Sequence, residues 1–302
     1  CACRVSQWGH VRSTVSAKKS MHALPCPMLE LTMSRLFFYV PFLYLYHTRQ
    51  RSLRKLLSWA LVYLIPACML ALMQGGFSLR TLAAVVLGAV LIYDFYETGY
   101  IQNDTETIKR EKAPSLRLQP DELAYYERNT ELIYGWRLLL GAPLAVGLIL
   151  LVPRPCPFVV AALSILVVYQ FYNSVRSRWN LYLYVLLITL RYCTPQLLFI
   201  EQLDPALLAA SFFAYPLANI LERASFPKFR IGFMQRLIGG KEGIPAFRIR
   251  YYAVLLVITA AIALFDDGFD LRICLLFAYY LVVRILFRLL NAPGKGMFIY
   301  YK

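Results

Sequence analysis

The chain has 302 residues, of which 59% are hydrophobic and 16% charged, and its formal net charge is +15. So little charge over this length excludes an ordinary soluble domain, and apolar runs of about 18–20 residues recur, the length that a bilayer core demands of a helix. A strongly basic chain usually points to nucleic acid; here the basic residues collect in alternate loops, which is a membrane pattern, and no nucleic-acid partner is expected.

Residues 1–33 are polar, with scattered Lys, Arg and Pro, and lack the apolar core of a signal peptide. They are expected to be a disordered or spurious leader, with Met28 or Met33 as alternative starts. Residues 34–55 are expected at the membrane interface, since 36–47 is short and carries three Tyr and three Phe. Residues 56–302 are expected to form the transmembrane domain. Its spans are predicted near 56–73, 79–98, 133–152, 156–173, 180–200, 204–221, 251–266 and 270–290. The predicted fold class is therefore all-α, a polytopic bundle of about eight transmembrane helices.

Arg49, Arg51, Arg54, Lys55, Lys109, Arg110, Arg176, Arg178, Arg223, Lys228 and Arg230 fall in one set of loops. Acids such as Glu201, Asp204, Asp266 and Asp270 fall in the other. The positive-inside rule then places both termini and the long loops, 99–132 and 222–250, in the cytoplasm. Each long loop follows the second helix of a group of four, which predicts two four-helix halves related by duplication. Asn103-Asp-Thr-Glu106 and Asn219-Ile-Leu-Glu222 end the second and sixth spans alike. Those spans are expected to face each other, with Asn103 and Asn219 lining one cavity. Pro143, Pro195 and Pro216 are expected to kink or loosen their helices, because each removes a backbone donor.

The chemistry concentrates where span 2 ends. Asp94, Glu97, Asp104 and Glu111 share one stripe of a continuous helix, with Asn103 and Thr107 beside it. Hard oxygen donors in such a column suit Mg²⁺ bridged to phosphate, and Asn103, Asp104, Glu111 and Glu222 are the expected metal ligands. The plain alternative is a solvated loop whose acids pair with Lys109, Arg110 and Lys112. Asn103, Asp104 and Glu222 are the expected catalytic residues. Tyr100, Lys109, Lys112, Arg117, Tyr172, Arg176, Arg178, Arg191, Asn219 and Lys228 are the expected substrate contacts, because Lys and Arg neutralise phosphate and Arg does so bidentately. Arg191 lies near the middle of its span and needs a partner, with Asp94, Glu97 and Glu201 as candidates. Arg137 and Arg284 are placed near enough to the basic side to snorkel. Tyrosines at the same level, among them Tyr93, Tyr96, Tyr169 and Tyr215, suit an isoprenoid channel.

Gly99-Tyr100-Ile-Gln-Asn103-Asp104, the basic segment Lys112-Ala-Pro114-Ser-Leu-Arg117 and Tyr172-Asn-Ser-Val-Arg176 together resemble the UbiA superfamily of intramembrane prenyltransferases. That family's first motif is Asn-Asp-x-x-Asp-x-x-x-Asp; here Thr107 and Glu111 stand at its second and third acids, and the second motif is reduced to Asn219 and Glu222. The resemblance implies Mg²⁺, a polyprenyl diphosphate or monophosphate partner, and transfer of the prenyl group, or of a group onto the lipid phosphate, with an unknown acceptor. The expected location is a bacterial inner membrane, multi-pass. A non-catalytic lipid-binding or scaffold relative is the main alternative, and a transporter the lesser one.

Overall fold

A computed structural model describes residues 35–111, 114–175 and 177–290, and every regular element among them is helical. Among the described residues, eight helices are long and apolar enough to cross a membrane: α1 (Leu53–Gly75), α2 (Leu79–Arg110), α3 (Pro120–Leu151), α4 (Cys156–Ser174), α5 (Asn180–Gln202), α6 (Pro205–Ala224), α7 (Gly240–Phe265) and α8 (Leu271–Leu290). The protein is an all-α polytopic bundle, as its composition predicts. The expected leader, 1–33, lies outside the described residues.

Helix starts follow local chemistry. Ser52 and Ser78 accept hydrogen bonds from the backbone N–H of Lys55 (3.3 Å) and Thr81 (3.1 Å), and Asp204 accepts from Ala206 (2.9 Å) and Leu207 (3.2 Å). Gln119 and Glu122 form a capping box that starts α3 at Pro120 rather than near 133. Helix α2 likewise runs on to Arg110, with its last turn, Thr107–Arg110, tightened to 3₁₀, and α7 begins at Gly240. The two expected long loops are therefore largely helix. A hydropathy pattern marks the apolar part of such a helix and is blind to the polar turns that extend it.

Pro195 opens a 3₁₀ stretch (Thr194–Gln202) and Pro216 sits in a π turn (Phe213–Leu217), as the missing donor of proline requires. Helix α3 runs on through Pro143; its non-helical residue is Asn129 (φ −125°, ψ 20°).

The core has two large apolar clusters. One joins α1, α2, α5, α6, α7 and α8 around Tyr63, Tyr192, Tyr215 and Tyr280. The other joins α1 to α5 around Phe95, Phe158, Ile165 and Leu198. Helices α1, α2 and α5 contribute to both, so the two sequence halves do not each close a core of their own.

The segment before α1 departs from the expected interfacial helix. A 3₁₀ turn (Leu36–Phe38), a helical turn (Leu43–Leu45) and a π turn (Tyr46–Gln50) fold against the bundle. Phe38 and Tyr44 are fully buried there, against Ile101, Tyr126 and Ile133. Polar groups hold the segment in place. The buried Arg137 guanidinium donates to the carbonyls of Phe38 (2.8 Å) and Phe37 (3.3 Å), to Asp94 (2.9 Å) and to Glu97 (3.1 and 3.2 Å). Glu97 in turn accepts from the backbone N–H of Leu45 (2.7 Å) and Phe42 (3.1 Å). Arg137 does not snorkel: it is 1% exposed.

Candidate functional site

The turns before α1, the connections after α2, α4 and α6, and the adjoining helix ends enclose a cavity of about 770 Å³. Among the described residues, seven basic side chains line it. Arg49 comes from the segment before α1, Arg117 from the α2–α3 connection and Arg178 from the α4–α5 connection. Arg191 comes from α5 itself, Arg223 from the end of α6, and Lys228 and Arg230 from the residues that follow it. Tyrosines stand among them: Tyr96 and Tyr100 on α2, Tyr169 and Tyr172 on α4, and Tyr184 on α5. A cavity with this lining attracts anions and offers flat apolar surface beside them.

Local sequence explains how the walls meet. Gly99 permits close approach of α4: a Cβ there would lie 2.2 Å from the Tyr169 ring. Tyr169 accordingly packs edge-on against Tyr96 (4.9 Å between centroids) and Tyr100 (6.0 Å). Asn173 fixes the register of the two helices by donating to the Gly99 carbonyl (3.0 Å) and to Gln102 (2.8 Å). Asn180 closes the end of α4 through the carbonyls of Tyr172 (2.9 Å) and Val175 (3.1 Å).

Arg191 is the buried one among the charged residues of the lining. It is 8% exposed, its guanidinium lies 4.5 Å from the Tyr63 and 4.5 Å from the Tyr96 ring centroids, and it donates to the Tyr215 hydroxyl (3.3 Å). No carboxylate pairs with it among the described residues, and its Nε has no partner there. The partners expected for it are engaged elsewhere, Asp94 and Glu97 with Arg137 and Glu201 with Arg154 (2.9 Å). Arg223 has the same character: it lies 4.5 Å from the Tyr184 centroid, bonds the Tyr172 hydroxyl, and leaves Nε unpartnered.

Asp104 lies behind the cavity wall and is 1% exposed. Its Oδ1 accepts from Arg117 (2.9 Å), Arg49 (3.1 Å) and Asn103 (3.1 Å), and its Oδ2 from Arg49 (2.5 Å) and the Tyr44 hydroxyl (3.2 Å). Arg49 also lies 4.2 Å from the Tyr100 centroid. Burial first, and then the Asp104 carboxylate, push the Tyr44 phenol well above its ordinary range, so it remains a donor to that carboxylate.

The expected residues divide as follows. Tyr100, Asn103, Glu111, Arg117, Tyr172, Arg178, Arg191 and Lys228 all line the cavity. Lys109 does not; it pairs with Glu106 (3.2 Å) and Glu127 (3.5 Å) on the outside. Asn219 is outside the lining and donates to the Tyr215 carbonyl (2.7 Å). Glu222 is buried in a bidentate pair with Arg248. Lys112 and Arg176 lie outside the described residues. Helices α2 and α6 do reach one cavity, through Tyr96, Tyr100 and Asn103 on one side and Arg223 on the other, but not through Asn219.

The expected column of acids is not a metal site in this arrangement. Asp94 and Glu97 belong to the Arg137 cluster, and the helix leaves α geometry after Thr105, which carries Glu111 away from Asp104. Thr107, at the position of the second acid, is buried and outside the lining. Asp104 has both oxygens occupied by donors, and Glu222 has both on Arg248. Among the described residues no group of three or more His, Cys, Asp or Glu is placed to hold a metal ion. Asn103, Asp104, Glu111 and Glu222 therefore do not fit Mg²⁺ as a set.

Arg223 and Arg230, which follow Glu222 and read with Lys228 as able to hold the far side of a phosphate, line the cavity; sequence reasoning missed Arg49, and took Arg137 for a snorkelling side chain. The signal for Arg223 and Arg230 was their position just after α6. Arg49 carried none, because its place depends on how the segment before α1 folds back. Comparisons with protein-family models, with curated proteins and with solved structures find no match to this chain.

Proposed function

We propose that the protein is a membrane-embedded transferase acting on a polyprenyl phosphate or diphosphate, and a divergent relative of the UbiA superfamily. The headgroup occupies the basic cavity, and the apolar chain leaves along the tyrosine walls of α2 and α4. One observation carries the reading: among the described residues, seven basic side chains, two of them with unpartnered Nε atoms, converge on one cavity at the end of an apolar helical bundle. Arginine suits this role because its planar fork engages two phosphate oxygens at once. The same groups stabilise the charge that develops on a phosphate leaving group when the prenyl carbon is attacked. Basic loops at this end of the bundle support a cytoplasmic site, with both termini on that side, as in a bacterial inner membrane.

The test is transfer itself. Radiolabelled polyprenyl diphosphate is added to proteoliposomes holding the full chain, with membrane extract as the source of acceptors. Label should pass into a new product, and Arg191→Leu and Arg223→Leu should each slow this at least tenfold, about 1.4 kcal/mol of barrier. Product formation indifferent to both changes would contradict the reading.

A second reading has its own support. Both candidate catalytic carboxylates, Asp104 and Glu222, are buried in ion pairs, an arrangement that suits a lipid-phosphate binding protein without chemistry. Retained lipid binding with no product from any acceptor in the extract would favour it.

A further inference from the structure

We infer that the cavity takes its phosphate directly on guanidinium groups, without a bridging divalent metal, and that Asp104 is the counter-ion that positions Arg49 and Arg117 rather than a metal ligand. The inference rests on the lipid-phosphate reading and specifies how that ligand is held.

The argument begins with the lone pairs of Asp104. An ionised carboxylate offers about four acceptor sites. Two N–H groups of Arg49, one of Arg117, the Asn103 amide and the Tyr44 hydroxyl all donate to it. No acceptor site remains for a cation unless several of these donors leave. A dication bound there would also face two guanidinium groups within hydrogen-bond distance of the same carboxylate, a repulsion that a buried site screens poorly. Glu222 is committed elsewhere: it is buried, outside the cavity lining, and each of its oxygens accepts from Arg248, whose charge already balances it.

What remains of the expected ligand set is Asn103 and Glu111, which bring a single carboxylate to a lining with seven basic side chains. Magnesium at a phosphate site serves to neutralise charge on oxygens that carboxylates alone would repel. Here arginine already supplies that neutralisation. Arg117 spends one of its five donors on Asp104 and Arg49 two, and both side chains also line the cavity. Asp104 thus holds the pair at the wall while leaving donors for phosphate oxygens. Arg191 and Arg223, whose Nε atoms are unpartnered among the described residues, supply the rest of the charge.

The probe is farnesyl monophosphate, titrated into the full chain in nanodiscs with either EDTA or magnesium present. Affinity in EDTA should lie within about threefold of that in magnesium. Asp104→Asn should change affinity by the same factor in both buffers, because a counter-ion acts on the arginines whether or not metal is present. Arg117→Gln, at a half-exposed side chain, should weaken binding about tenfold or more in both. Binding tighter in magnesium by more than about threefold, with that gain lost in Asp104→Asn, would overturn the inference and leave the lipid-phosphate reading standing. Should Asp104→Asn fail to fold, the wild-type comparison decides alone. Absence of binding in both buffers would overturn the inference and the lipid-phosphate reading together.

Discussion

Arg191 shows most plainly what a single side chain reveals about this site. A guanidinium that is 8% exposed and faces two tyrosine rings instead of a carboxylate is costly to bury. Removing a purely structural charge from a bundle usually harms it; removing an uncompensated one relieves it. Arg191→Leu is therefore expected to melt at or above the wild-type temperature in detergent while losing at least about tenfold in lipid-phosphate affinity. A variant that binds normally but unfolds early would show that Arg191 holds helices together instead. The sequence made Arg191 conspicuous, since an arginine at mid-span needs an explanation. It could not reveal that the partners are aromatic, because cation–π contacts to Tyr63 and Tyr96 join residues far apart in the chain. Asp104 was conspicuous through the Asn103-Asp104 pair at the end of its helix; its bonds to Arg49 and Tyr44 were not legible, because both reach it from a segment with no legible motif.

At the scale of elements, two contacts decide whether the cavity forms. Helix α4 lies on α2 where Gly99 meets Tyr169. Gly99→Ala is expected to cost about 1–3 kcal/mol through overpacking, less a small gain in helix propensity. It should also weaken lipid-phosphate binding, since Tyr169 and Tyr172 line the site; thermal melts and ligand titration of the same sample would check both. The second contact is Arg137 with Asp94 and Glu97, which ties α2, α3 and the segment before α1 together. Arg137→Met leaves two buried carboxylates without their cation and should cost about 3–5 kcal/mol. A loss below about 1 kcal/mol would mean the cluster is dispensable. Helix number and order were legible from apolar runs alone. The helix ends were not, because the polar turns of α2, α3 and α7 are stabilised by caps and ion pairs instead of hydropathy. The duplicated halves read from loop spacing do not separate into two cores, since packing followed the aromatic faces of α1, α2 and α5 across the divide.

For the molecule as a whole, eight apolar helices set a basic, tyrosine-walled cavity at one end of the bundle. On the proposed function, that charge implies recognition of the phosphate and not of the apolar chain alone. High salt should accordingly weaken binding at the half-exposed arginines more than at the buried ones, where screening is slight. The most direct test of the central claim compares a polyprenyl monophosphate with the polyprenol of the same chain length, each titrated into the reconstituted full chain. The account predicts that the phosphate binds at least about a hundredfold more tightly, a difference of about 2.7 kcal/mol, and that Arg191→Leu and Arg223→Leu erase most of that difference. Equal affinity for phosphate and alcohol, unaltered in the arginine variants, would contradict it.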